Sequence, residues 1–337
     1  MIRVAGELLE GFAGVSVRRS LDRVSECAFS VTWDPRNETL RRLFPPLSQQ
    51  ELTVGLSGGE ELLTGWVVAN APQNSEDSRS LPLAGYGRPG ALEGGRLEGT
   101  KEFRSVRFGQ IAQQIASPFG VEVDMRGEEG ASFATVSLKG EKAPWGFLAE
   151  LAAERNLLLT DAPSGRLVGW APVAPGSPVL ELTEGAAPLG SIGVTISSDW
   201  YSEVIGTSGA TRGRGGSVHR EPNPFYRGPP KPLTFEAKDT APADLPRAVQ
   251  AKLGRVIGNA MAWTAQVPGL RDPSGAIFRP NTTISVLAPS VHLYRRTELL
   301  VRDVEFSGAE DGLSTDLTLV LPGSFGGPLP SSMPWDN

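Results

Sequence analysis

The 337-residue sequence holds one cysteine, Cys27. An intramolecular disulfide and a cysteine metal cluster are therefore both excluded. The surrounding SECAFSVTW alternates like a strand, where a lone cysteine serves as a small buried hydrophobe. Histidine is almost as scarce. His219 and His292 are the only two, and neither has a Cys, Asp or His partner at metal-ligand spacing. There is no G-x-S-x-G elbow for a nucleophile, no G-x-x-x-x-G-K-[ST] phosphate loop, and no G-x-G-x-x-G between a strand and a helix. No window approaches the ~18 apolar residues of a membrane span. The opening MIRVAGELLEGF lacks the basic start and apolar run of a signal peptide, so synthesis and folding in a cytoplasm are expected. A net charge of −6 and a pI near 5.2 argue against a dedicated nucleic-acid binder.

Turn formers are abundant instead. The 40 glycines and 28 prolines exceed an average combined usage of about 12%, which suits short strands and long loops better than a helical bundle. A hydrophobic fraction of 39% with 21% charged residues allows buried cores, and the length accommodates two or three domains of ~100–200 residues.

Along the chain, Phe29, Val31 and Trp33 alternate with Ser30 and Thr32 as a half-buried strand. Asn37 then caps a short helix carrying Leu40, Leu43 and Phe44, stopped by Pro45-Pro46. Strands over Leu52–Leu56 and Leu62–Val68 flank the Gly58-Gly59 turn. Residues 71–100 are rich in turn formers and read as a crossover. A small α+β module follows, with helices marked by Phe108, Ile111, Ile115 and by Trp145, Leu148, Leu151, and a hairpin of Leu157–Thr160 and Arg166–Trp170. APGSP at 174–178 reads as a linker. Beyond it the pattern gives strands near 192–196 and 200–205, a long loop 206–232, a helix over 242–264, strands at 284–286, 299–306 and 317–321, and a C-terminal tail.

The second half thus repeats the order strand, helix, strand, turn, strand. The phrase ELTVGLSGGEELLTGWVVA in the first half answers TTISVLAPSVHLYRRTELLVRDVEF in the second. The shared order and the ELT/TIS lead-in point to two copies of one β-barrel-like domain around a different central module. Active-site chemistry finds little purchase here. Glu60-Glu61 and Glu128-Glu129 are adjacent turn charges rather than a catalytic pair. Asp303 and Glu305 share a strand face and read as edge or outer-face charges available to a partner's Lys or Arg. TRGRGGSVHR, with Arg212 and Arg214, reads as a solvated loop or a contact for an acidic partner, and Phe225-Tyr226 as an interface contact or a sugar-stacking platform.

In order, the phrases FSVTW, ELTVGLSGGEELLTGWV, FGQIAQQIASPFGVEV, WGFLAELAAERNLLLTDAPSGRLV and PNTTISVLAP…TELLVRDVEFSGAEDGLSTDLTLVLP resemble the baseplate hub proteins of contractile-tailed, Mu-like phages. The resemblance spans nearly the whole chain. It implies an α+β, mainly β fold with two tube-like β-barrel domains, 1–85 and 176–322. A crossover and small α+β module, 86–175, would lie between them, and 323–337 would form a tail. It further implies a non-enzymatic virion component without a cofactor or metal, a homotrimer that joins the hexameric tail tube protein to a trimeric spike protein and touches other baseplate proteins. Neither nucleic acid nor a stable membrane association is expected. The interface candidates on this reading are Trp66, Arg212, Arg214, Phe225, Tyr226, Arg302 and Asp303. The rival classes are a tail-associated peptidoglycan hydrolase and a host-surface glycan binder.

Overall fold

The computed structural model describes residues 1–75, 78–171, 176–209, 216–237, 244–309, 312–325, 329 and 331–336. Arg212 and Arg214 lie outside them.

Alternating apolar residues build the first half. Its strands are β1 (Ile2–Val4), β2 (Phe12–Ser20), β3 (Glu26–Thr32), β4 (Glu51–Gly55), β5 (Glu61–Asn70) and β6 (Arg79–Gly87). Helix α1 (Glu38–Leu43) sits between β3 and β4, and the Asn37 side chain accepts from the Leu40 amide at 3.1 Å, satisfying one orphan donor as the sequence suggests. The central module holds β7 (Lys101–Val106), α2 (Phe108–Ala116), β8 (Val123–Arg126), β9 (Phe133–Leu138), α3 (Pro144–Glu154), β10 (Leu158–Asp161) and β11 (Leu167–Trp170). β10 and β11 form the expected hairpin, and β8 adds to it in parallel. The module has its own core of Phe108, Ile111, Ile115, Phe133, Leu148 and Leu167.

The second half comprises β12 (Leu180–Thr183), β13 (Ser191–Ile196), β14 (Glu203–Ser208), β15 (Val218–Pro222), β16 (Pro232–Ala237), α4 (Leu245–Ala260), β17 (Met261–Pro268), β18 (Thr283–Ala288), β19 (Leu293–Ala309) and β20 (Gly312–Val320). Strands of both halves belong to one 14-stranded sheet, ordered β13-β17-β20-β19-β2-β3-β6-β5-β4-β1; β18 branches from β19 and carries β12, and the two-residue strands Glu7–Leu8 and Gln73–Asn74 pair with β1 and β6. One core runs beneath it, including Ile2, Leu52 and Leu63 from the first half and Ile284, Leu299 and Leu317 from the second.

Within that sheet the strand order is the same twice. β4-β5-β6-β3-β2 in the first half matches β18-β19-β20-β17-β13 in the second, and every neighbouring pair in both runs is antiparallel. The register aligns Leu52 with Ile284, since Leu52 faces Gly65 and Ile284 faces Leu299. It also places the β5 irregularity between Val67 and Ala69 opposite the β19 irregularity between Val301 and Asp303.

Several sequence expectations are corrected. Aligning the two Glu-Leu-Leu phrases by spelling sets Gly65-Trp66 against Arg302-Asp303, but the two do not correspond. Ladder register aligns Gly65-Trp66 with Leu299-Leu300, and Arg302-Asp303 with Val68-Ala69, because pairing obeys the bulge and not the Glu-Leu-Leu spelling. Helix 242–264 ends at Ala260. Met261 turns straight into extended backbone (φ −143, ψ 123), and MAWTAQVP alternates buried and exposed as strand β17. The repeat's helix is not conserved in position: α1 follows β3, whereas α4 precedes β17. Loop 206–232 contains structure, since β15 and β16 flank β14 in a three-stranded sheet covered by α4. Within the expected tail, the described residues Phe325 and Met333 are buried rather than trailing in solvent. The 71–100 crossover includes the nine-residue β6, which pairs with β3 and β5; Pro82, Gly85 and Gly87 mask its alternation. No helix among the described residues is long and apolar enough to cross a membrane.

Candidate interface at the strand junction

The two halves meet where the C-terminal part of β19 leaves β18 and pairs antiparallel with β2, from Asp303–Ser20 to Gly308–Val15. FAGVSVRRS forms this strand because Val15 and Val17 turn toward the shared core while Arg18 points out beside the β19 carboxylate. On the core side, Val17, Val54, Leu62, Leu270, Phe306 and Leu313 line a groove of about 870 Å³ between the halves.

On the opposite face Asp303 is only 2% exposed. Ser20 Oγ donates to its Oδ1 at 2.6 Å, Arg302 Nε to its Oδ2 at 2.9 Å, and an Arg18 guanidinium nitrogen lies 3.2 Å from Oδ2. Burial pushes this carboxyl's pKa up, but the Ser20 hydrogen bond and the two guanidiniums outweigh it and hold the group below its ordinary value. A second tie crosses the halves at Glu60 and Arg271, an exposed and hence weak ion pair.

The turn after β2 also receives the central module. Both the amide and the hydroxyl of Ser25 donate to Asp161 Oδ1 at 2.8 Å. The Thr160 hydroxyl lies 2.7 Å from the Ser20 carbonyl and 2.9 Å from that of Arg23. Leu21, Leu158, Leu300, Val320 and Phe325 bury one another there, drawing on both halves and the module. At about 1.5–3 kcal/mol per buried side chain, five such residues make this docking far stronger than any exposed ion pair. Asp161 is pushed up to about 6, first by burial, which the Ser25 hydrogen bonds and the nearby Arg19 charge only partly offset. Its Oδ2 has no hydrogen-bond partner among the described residues. Close approach requires Gly87, where a Cβ would fall 2.0 Å from that oxygen.

Of the sequence candidates, Arg302 and Asp303 belong to the junction. Asp303 does not sit on an edge awaiting a partner's cation: β19 runs between β20 and β2, and the carboxylate is satisfied within its own chain. Trp66 lies half-buried in β5, facing Glu51 and Tyr86 on its neighbours. Phe225 and Tyr226 are half-buried apart from the junction strands. Phe225 packs on the main core, and the Tyr226 hydroxyl donates to the Pro229 carbonyl at 2.7 Å, so neither presents a bare stacking platform. The sequence reading missed Arg18, Ser20, Ser25, Thr160 and Asp161. Small polar residues in SLDRVS and TDAPSG look like turn chemistry until tertiary pairing joins them. Among the described residues, no three His, Cys, Asp or Glu side chains gather to hold a metal.

Residues 96–169 match the family described as baseplate hub protein gp44-like, second domain. Residues 242–327 match the fourth domain of the Mu phage baseplate assembly protein GpP. No curated protein sequence matches the chain. The 43 kDa tail protein of prophage MuSo2 from Shewanella oneidensis shares its fold with a TM-score of 0.79 at 22% identity, over 97% of this chain and 99% of that one. The tail protein from Neisseria meningitidis MC58 gives 0.78 at 17% identity, over 96% and 97%. An E. coli component of the type VI secretion system, described as similar in structure to the T4 bacteriophage tail proteins gp27 and gp5, gives 0.61 at 13% identity, over 98% and 79%. Two segments of the chain thus match domains of baseplate hub and Mu phage baseplate assembly proteins, and the chain as a whole has the fold of these prophage tail proteins.

Proposed function

We propose that this protein is the hub of a contractile-tail baseplate, a homotrimer that adapts the hexameric tail tube to a trimeric spike. The observation that carries the reading is the single sheet in which one antiparallel strand order occurs twice. Three chains with two equivalent half-sheets each offer six similar surfaces on one side and three identical ones on the other, which meets the symmetry requirement of both neighbours. On this reading 1–85 and 176–322 are the two tube-like units, and the module within 86–175 lies outside the ring they form. Such a role needs rigidity rather than catalysis. A buried junction and a docked module supply it, and the proposed protein acts without a cofactor or lytic activity.

The test is the mass and shape of the purified protein. Light scattering at micromolar concentration is expected to give three times the 35.8 kDa chain mass, and particle images a three-fold ring with a six-fold-like rim. A monomer, alone and with the spike protein present, overturns the assignment, as does peptidoglycan clearing in a zymogram.

A further inference from the structure

The junction inside the chain is a template for a second junction that one chain cannot complete. Ladder register fixes the correspondence. Val17 faces Cys27, which faces Gly85, which faces Val67. Val194 faces Trp263, which faces Leu319, which faces Val301. Val17 is therefore the counterpart of Val194, and Val67 that of Val301. Applied to the Val17–Phe306 pair of the template, the same relation sets Val194 opposite Pro72. Thr195 then faces Ala71, and Ile196 faces Asn70.

Both partners of this pairing are open in the monomer. Among the described residues, β13 ends the sheet and pairs with β17 alone. The Ser197 amide donates to the Ala260 carbonyl, so alternation turns the amides of Ile192, Val194 and Ile196 away from β17 toward the open edge. Those positions match Val15, Val17 and Arg19, and the same alternation from the Leu21 amide, bonded to the Arg302 carbonyl, turns their amides onto β19. On the other side, β4 covers β5 only as far as Trp66. The Val67 amide still donates to the Gln50 carbonyl, but beyond it residues 68–70 and the short strand Gln73–Asn74 pair, among the described residues, with β6 along one edge alone. Ile196 is 59% exposed and Val68 36%, two large apolar side chains among the few left in water. A flat apolar edge of this kind promotes association unless it is covered.

We propose that β13 of one copy pairs antiparallel with residues 69–74 of a second copy, continuing its sheet as β2 continues β19. The occupant is a second copy because the chain already contains the matching half of the seam, in register and polarity. The pairing is head-to-tail, so it repeats around a ring; it rests on the hub reading for the number of copies. The seam is weaker than its template. Pro72 has no amide to donate, and Val68-Ala69 stands where Arg302-Asp303 anchors Arg18 and Ser20.

Thr195–Ala71 corresponds to Arg18–Glu305, a non-hydrogen-bonded pair with Cα atoms about 4.5 Å apart, close enough for a disulfide. The test is the full-length Thr195→Cys/Ala71→Cys double variant, oxidised at micromolar concentration and run on a non-reducing gel. Covalent dimers and trimers are expected, with neither single variant forming trimers. An oligomer that yields no covalent species refutes this register while leaving the ring intact. A monomer by light scattering refutes both this pairing and the hub reading. As a second probe, Val194→Pro removes an outward amide without touching a β17 bond. It is expected to give a monomer with an unchanged far-ultraviolet spectrum, and full assembly of that variant overturns the proposal.

Discussion

Two buried carboxylates of this chain respond oppositely to pH. Asp303 is held below its ordinary value, so its contribution to stability is present above the carboxylate range and disappears as pH falls through it. Asp161 rises from 3.8 to about 6. Between those values the folded protein keeps a proton that the unfolded chain has released, so this group's contribution falls as pH rises and is least favourable above about 6. Two pKa units correspond to about 3 kcal/mol. Asp161→Asn keeps a carbonyl to accept from Ser25 and removes the ionisation. Urea unfolding is expected to show the variant gaining on the parent by up to about 3 kcal/mol from about pH 4 to about pH 7, because the other carboxylates cancel in the comparison. Parallel profiles refute a raised Asp161. Cys27 shows what was legible at this scale, since alternation alone placed it inside, and it is 4% exposed. Asp161 was not legible, because a carboxylate next to Ala-Pro-Ser-Gly has the composition of an exposed turn.

Helix α4 owes its seat to two glycines four residues apart. A Cβ on Gly254 would lie 2.5 Å from the Gly323 carbonyl oxygen, and one on Gly258 would lie 2.4 Å from the Ser324 Cβ. The opposing atom at Gly254 is backbone and cannot rotate aside. Alanine gains about 1 kcal/mol of helix propensity against about 1–3 kcal/mol of overpacking. Gly254→Ala is therefore expected to destabilise by roughly 1–2 kcal/mol, whereas Gly146→Ala in α3, where nothing lies within 4 Å, is expected to be neutral or stabilising by up to about 1 kcal/mol. Denaturant midpoints for the pair check this, and equal effects dismiss the close approach. Element patterns were readable where one face is apolar and the other polar, as in α2, β5 and the β10–β11 hairpin. They failed at β2, whose Arg18 and Arg19 conceal a strand, at β6, which is interrupted by Pro82 and two glycines, and at β17. There Ala260, Met261 and Ala262 favour a helix locally, but Trp263 is fully buried with its Nε1 donating to the Val291 carbonyl at 2.9 Å. Tertiary burial of that indole decides the strand.

The repeat could be read from spelling, but its register could not, because Glu-Leu-Leu recurs three residues away from the position that the sheet aligns. That offset matters for how the proposed ring would come apart. Inside a chain the halves share an unbroken core, a clamped Asp303 and a docked module. Between chains the proposed seam offers backbone hydrogen bonds, one fewer at Pro72, and no charged clamp. Net hydrogen bonds contribute only about 0.5–1.5 kcal/mol each, so the seam is expected to open before the sheet beneath it melts. In a urea series, the scattering mass should fall to that of one chain while near-ultraviolet ellipticity from the buried Trp263 is still native. Only the first transition should move to higher urea as protein concentration rises, since dissociation is concentration-dependent and unfolding of a released chain is not. If mass and ellipticity change together at every concentration, the seam is as strong as the fold. The half-sheets would then be bound between chains by more than the edge pairing described above.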